Sequence, residues 1–188
     1  MPLRVHDFLA GVPLHDAWVV DLPRARSGIT LDEFLPTAGA RPFRPSVLVR
    51  ALLRIRFLVG RPLGWDRAQP STGTETFATR LTALDRSTSL VSPGTREGPF
   101  RVVYRFENEQ LLEVNNRTAH AAALSALVET ADGYRFYFGV YVRRVGRLTP
   151  VYMAVIGPFR RWIVYPSLLR SVRTAWIHTF GPGRSPLA

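Results

Sequence analysis

The chain has 188 residues, 46% hydrophobic and 21% charged. These are the proportions of a globular protein with a buried core, not of a disordered chain. It has no cysteine, which excludes disulfides, thiolate catalysis, cysteine zinc fingers and iron–sulfur clusters together. The formal charge of +11 comes from 25 basic residues against 14 acidic ones, and every basic residue is arginine.

Those arginines run from Arg4 to Arg184, and no block exceeds the pairs Arg143-Arg144 and Arg160-Arg161. Nucleic-acid binders normally mix lysine with arginine and cluster both on one face or tail. Arginine-mediated binding of nucleic acid or an anionic surface is therefore kept only as an alternative. At roughly 150 residues per domain the length predicts one domain over residues 1–188. His6 and Asp7 interrupt the N-terminus before any apolar run forms, unlike a signal peptide. No stretch approaches the ~20 apolar residues needed to cross a bilayer, so a cytoplasmic protein is expected.

In chain order, residues 15–22 read as a strand closed by Pro23. Thr30 with Glu33 three residues on reads as a capping box opening a short helix. A second helix follows over residues 46–59, with Leu48, Leu52, Ile55 and Val59 at helical spacing and Gly60 and Pro62 to stop it. Residues 65–76 are polar, with Pro70 and Gly73, and read as a loop. A strand is expected near residues 87–91. Val102, Tyr104 and Phe106 then alternate with Arg101, Arg105 and Glu107, the period of a half-buried strand. Asn108-Glu109 turns the chain into a long, alanine-rich extended run over residues 111–129. Ala131-Asp132-Gly133 is a tight-turn signal that pairs residues 134–144 back onto that run. Residues 148–177 return to helical spacing. Tyr152, Ile156, Phe159, Trp162, Tyr165, Leu169, Val172 and Trp176 form one stripe, with two kinks or short breaks expected at Pro158 and Pro166.

Strand, two short helices, several antiparallel strands and a long C-terminal helix is an α+β order. It resembles the helix-grip layout of the START-like superfamily (SRPBCC), which includes plant pathogenesis-related and polyketide cyclase proteins. Within it, NEQLLEV (108–114), NRTAH (116–120), Gly133-Tyr134, VYV (140–142), YMAVIGPFRRWIVY (152–165) and RFLVGRPLG (56–64) resemble a bacterial domain-of-unknown-function family. The resemblance implies a curved antiparallel sheet wrapped around the C-terminal helix, with a cavity between them. It carries over no catalytic residues.

The phrase at residues 113–120 concentrates polar groups. Read as one strand, it sends Asn116, Thr118 and His120 to one face with Val114, and Glu113, Asn115 and Arg117 to the other. The bland reading is solvation or backbone satisfaction. The functional reading is that Asn116, Thr118 and His120 line the cavity. Tyr104, Tyr137 and Tyr141 are candidate ligand contacts against a default role as core aromatics. One of Arg160 and Arg161 is expected to reach an acidic ligand group or a sheet carboxylate such as Glu113, and the other to be solvated. His6-Asp7 and His15-Asp16 fix no metal geometry, and no HExxH, Walker or GxGxxG motif occurs, so no metal or cofactor is expected. The leading reading is binding of a hydrophobic or aromatic small molecule between sheet and C-terminal helix. The alternative is a cyclase- or dehydratase-like enzyme with His120 as general acid/base, histidine being the side chain whose free imidazole titrates near neutrality.

Overall fold

The computed structural model describes residues 3–40, 76–115, 120–144 and 148–181. A helical turn, α1 (Val5–Phe8), precedes β1 (Leu14–Pro23) and α2 (Leu31–Ala40). A 3-10 turn (Phe77–Arg80) and α3 (Ala83–Thr88) lead into β2 (Arg96–Glu97), β3 (Phe100–Arg105), β4 (Glu109–Asn115), β5 (His120–Thr130) and β6 (Gly133–Arg143). The C-terminal helical run is α4 (Leu148–Phe159), a π turn (Arg160–Val164) and α5 (Tyr165–Phe180). The architecture is α+β, with short helical segments after the first strand and a long helical run at the end. The helix expected over residues 46–59 and nearly all of the loop expected over 65–76 lie outside the described residues.

The strands form one antiparallel sheet in the order β1-β6-β5-β4-β3-β2. Its backbone is the β5–β6 hairpin, paired in eleven registers from His120↔Arg143 to Thr130↔Gly133. The two-residue turn Ala131-Asp132 matches the sequence signal. Gly133 is required where β1 closes against this turn, because a Cβ there would lie 2.5 Å from the Leu22 carbonyl oxygen. No helix among the described residues is long and apolar enough to cross a membrane.

Both faces of the sheet are covered. Alternation along β5 and β6 sends Ala122, Leu124 and Tyr141 to one face, where Val5, Phe8, Leu9, Phe77 and Leu81 pack on them together with Tyr104 and Leu111. On the other face, Leu127, Tyr134 and Phe136 meet Phe34 of α2 and Leu169, Val172 and Trp176 of α5. A further cluster on that face joins Val140 and Val142 to Met153 and Tyr165, with Trp18 and Phe138 beside them.

Three expectations are corrected and one is refined. Residues 87–91 are not a strand. Thr82 and Asp85 form a reciprocal capping box that starts α3, and local capping outweighs the β propensity of the residues after it. The extended run divides into two paired strands, β4 up to Asn115 and β5 from His120, so Glu113 and His120 share a face. A bulge between Val102 and Tyr104 breaks the simple alternation of β3: Val102 lies opposite Leu112 and Tyr104 opposite Leu111, on opposite faces. Arg105 is thereby set opposite Gln110, beneath the C-terminal helix. Finally, the expected stripe is interrupted. Phe159 is 44% and Trp162 79% exposed: Phe159 lies about 120° around α4 from the buried Met153, and Trp162 lies within the wide π turn, which shifts the helical phase.

Trp176 is fully buried and its indole nitrogen donates to the Pro23 carbonyl at 2.9 Å. Trp176→Ala is expected to lose about 3–5 kcal/mol in denaturant unfolding, whereas Trp162→Ala changes stability by less than about 0.5 kcal/mol. Equal losses would show that Trp162 is packed.

Candidate functional site

Beneath α2 and α5 the sheet leaves a pocket of about 420 Å³, half open to solvent, within the ~300–1,000 Å³ of small-molecule sites. Its helical wall is Phe34, Leu35, Pro36, Leu168 and Val172, and its sheet wall includes Leu112, Phe136 and Phe138. Of the small residues that β5 turns toward the helices, Ser125 lines this space, whereas Ala121 packs against the cluster of Val140 and Met153.

The polar part of the lining is built by register. Arg105 lies opposite Gln110, Gln110 opposite Ser125, and Ser125 opposite Phe138, so one transverse row crosses β3, β4, β5 and β6. At the row's end Glu97 accepts hydrogen bonds from Arg105 Nη2 at 2.5 Å and Gln110 Nε2 at 3.2 Å. The Arg105 side chain is only 14% exposed, and its Nε is buried without a hydrogen-bond partner. Arg105, Glu97, Gln110 and Ser125 were not singled out in the sequence. Gln110 and Ser125 carried a usable signal, as single polar residues facing inward among leucines and alanines.

The opposite face holds a different buried polar cluster. Glu109 Oε1 accepts from the Val5 amide at 2.9 Å and the Tyr104 hydroxyl at 2.5 Å, and Oε2 accepts from the Arg4 amide at 2.7 Å. One carboxylate thus satisfies two amides at the start of α1, which would otherwise lack partners. Burial first, and the nearby Glu109 charge second, push the Tyr104 phenol far above its ordinary range, so it remains a donor. Glu113 Oε2 accepts from the Phe77 amide at 2.8 Å and lies 3.3 Å from His120 Nε2. The His120 ring stacks on Phe77 with centroids 4.0 Å apart. It has no exposed surface, and its Nδ1 has no hydrogen-bond partner.

A third cluster sits where β1 meets the π turn. Asp16 accepts from Arg161 Nε at 3.1 Å and the Tyr165 hydroxyl at 3.2 Å, and Arg160 Nη2 forms an ion pair with it at 3.1 Å. Burial raises the Tyr165 phenol above its ordinary range, so it too remains a donor. Both arginines thus reach a sheet carboxylate, Asp16 on β1, so neither is left to solvent alone; Glu113 lies on the other face.

Of the residues singled out in the sequence, Tyr104, Tyr141 and His120 lie on the face away from the cavity, with Tyr104 and Tyr141 in its apolar core. Tyr137, opposite Val19 and Ala126, shares that face and is half-buried. Arg160 is on the helix side but outside the cavity lining. Asn116 and Thr118 lie outside the described residues. Among the described residues no group of three His, Asp or Glu side chains could hold a metal ion.

These features define an α+β protein whose antiparallel sheet carries a cavity under its helices on one face and a carboxylate-fastened cover on the other. The chain belongs to the family described as Protein of unknown function (DUF2867), whose model matches residues 8–167, from the end of α1 into the first turn of α5. No curated protein matches it.

Two outcomes follow from the covered face. Glu109→Leu strands the Arg4 and Val5 amides, each costing about 1–3 kcal/mol when buried without a partner, whereas Tyr104→Phe removes a single donor and is milder. Equilibrium unfolding of both variants checks the order. Asp85 is held below the ordinary carboxylate range, first by its hydrogen bond from the Arg4 guanidinium and then by those from Thr82, against opposing desolvation. A depressed carboxyl pKa stabilises the fold above its unfolded value and ceases to do so as pH falls through the folded one. Asp85→Asn is expected to lower stability at pH 7, and the gap should close below about pH 4. A gap independent of pH would show that charge is not involved.

Proposed function

We propose that the protein binds a hydrophobic or aromatic small molecule in the cavity between the sheet and the C-terminal helix, as a member of the START-like helix-grip superfamily. The observation that carries this reading is the cavity itself: ligand-sized, walled by Phe34, Phe136, Phe138 and Leu168, with few polar groups. That is the composition of small-molecule sites. The superfamily assignment is supported by a long C-terminal helical run laid over one face of an antiparallel sheet.

The acid–base reading of His120 has less support. The ring is enclosed under Phe77 on the other face, and a general acid or base needs hydrogen-bond reach to its substrate. Binding of polyanions is weakened by pairing, because Arg4, Arg26, Arg105, Arg135, Arg160 and Arg161 each face a carboxylate. It predicts a steep loss of binding with salt, and salt-insensitive behaviour removes it.

The test is titration of the purified protein with a naphthalene-type, environment-sensitive dye, together with mass spectrometry of an organic extract of the protein. The dye is expected to brighten on binding with a stoichiometry of one. Leu168→Trp, which fills the cavity from a half-buried helix position, should abolish the signal while leaving the melting temperature within a few degrees. A protein that takes up no dye and yields no extracted ligand ends the proposal.

A further inference from the structure

The cavity reading leaves the chemistry of its occupant open, and the transverse row narrows it. Arg105, Gln110 and Ser125 stand side by side on adjacent strands, in a lining whose other sheet and helix residues are apolar apart from Glu97. The one cation and the one carboxylate face each other, so the lining as described has no net charge. An anionic ligand would lose its hydration and find the Glu97 carboxylate next to the only guanidinium. A cationic ligand would find Arg105 next to the only carboxylate. In either case a buried charge would lack a partner of its own.

What the row does offer is spare hydrogen-bonding capacity. Guanidinium carries five N–H donors; Nε is enclosed by protein, and the hydrogen bonds among the described residues engage Nη2 and leave Nη1 free. Gln110 Nε2 spends one donor on Glu97, and an amide nitrogen has two. The Ser125 hydroxyl has no partner among the described residues. A row rich in donors and neutral in charge fits an oxygen acceptor on an uncharged molecule.

Resting on the cavity reading, we propose that the ligand is an uncharged, largely aromatic molecule bearing a carbonyl oxygen, which the Arg105–Gln110–Ser125 row binds while its rings lie against Phe136 and Phe138. The row selects for the carbonyl and discriminates against carboxylates of the same size.

Three probes of matched shape test this by calorimetry on the full chain: 2-acetylnaphthalene, 2-isopropylnaphthalene and 2-naphthoate. The ketone is expected to bind at least about tenfold tighter than the hydrocarbon, the scale of a hydrogen bond from a charged donor, and tighter than the carboxylate. Gln110→Leu and the double variant Glu97→Gln/Arg105→Met, which leaves no unpaired charge, should each reduce the ketone's advantage over the hydrocarbon. Their effect on hydrocarbon binding should be small. Thermal melts of both variants establish that they are folded, and Ser125→Ala serves if either is not. Ketone and hydrocarbon binding equally well, with no effect of the variants, overturns the selectivity and leaves the apolar cavity standing. Tightest binding by 2-naphthoate overturns it in favour of an anion site. Failure of all three probes to bind overturns both readings.

Discussion

The helix side of this protein is organised by what the middle of the sheet lacks. Between Leu127 at one end and the C-terminal tip of β6 at the other, β5 presents only Ala121, Ala123 and Ser125 to the helices. Bulky groups stand at either end of this shallow floor. Trp176, Phe34 and Tyr134 hold α5 and α2 at one end, and Trp18, Phe138 and Tyr165 hold the π turn at the other. The space between these aromatic supports opens to solvent beside Glu97, whose side chain is partly exposed.

The two faces divide the work. The face away from the cavity is fastened by charge: Glu109 and Glu113 reach up from one strand to backbone amides of α1 and of the 3-10 turn. Glu109 takes three donors, and Glu113 takes the Phe77 amide with His120 Nε2 3.3 Å away; such partners are the condition for burying a carboxylate without a large penalty. The helix side is held chiefly by aromatic and aliphatic packing and can keep its few polar groups for the cavity. Asp16, Arg160 and Arg161 tie the edge strand to the π turn on that same side, well away from the lining.

Much of this was legible in the sequence wherever the pattern was local. The β5–β6 hairpin followed from Ala131-Asp132-Gly133 and the alternation after it, and the strand at residues 15–22 from its β-branched core and Pro23. The α+β order followed from these. The site was less legible because its placement depends on register. One bulge in β3 moves Arg105 from a presumed solvated position to the cavity, and nothing in the residues around Val103 marks it. The segment NNRTAH looked like a continuous polar strand, whereas Asn115 and His120 are cross-strand partners. That folds the phrase back on itself and brings Glu113 and His120 together on one side. Tyrosines 104 and 141 drew attention as polar aromatics, but the face on which an aromatic lands is set by pairing partners far away in sequence.

The π turn has a geometric consequence for everything after it. Met153 and Tyr165 are separated by twelve residues, and at about 100° per residue an unbroken α-helix would point them about 120° apart. Both face the same cluster against Val140. An i→i+5 turn takes up one additional residue, and eleven effective steps leave the two only about 20° out of line. The turn therefore acts as an angular correction between two helices that must present buried stripes to a single sheet. It also accounts for the exposure of Trp162, which lies within the correction and belongs to neither stripe. By this arithmetic the residue count of the turn, more than the identity of the residues in it, sets the direction in which Leu169, Val172 and Trp176 face.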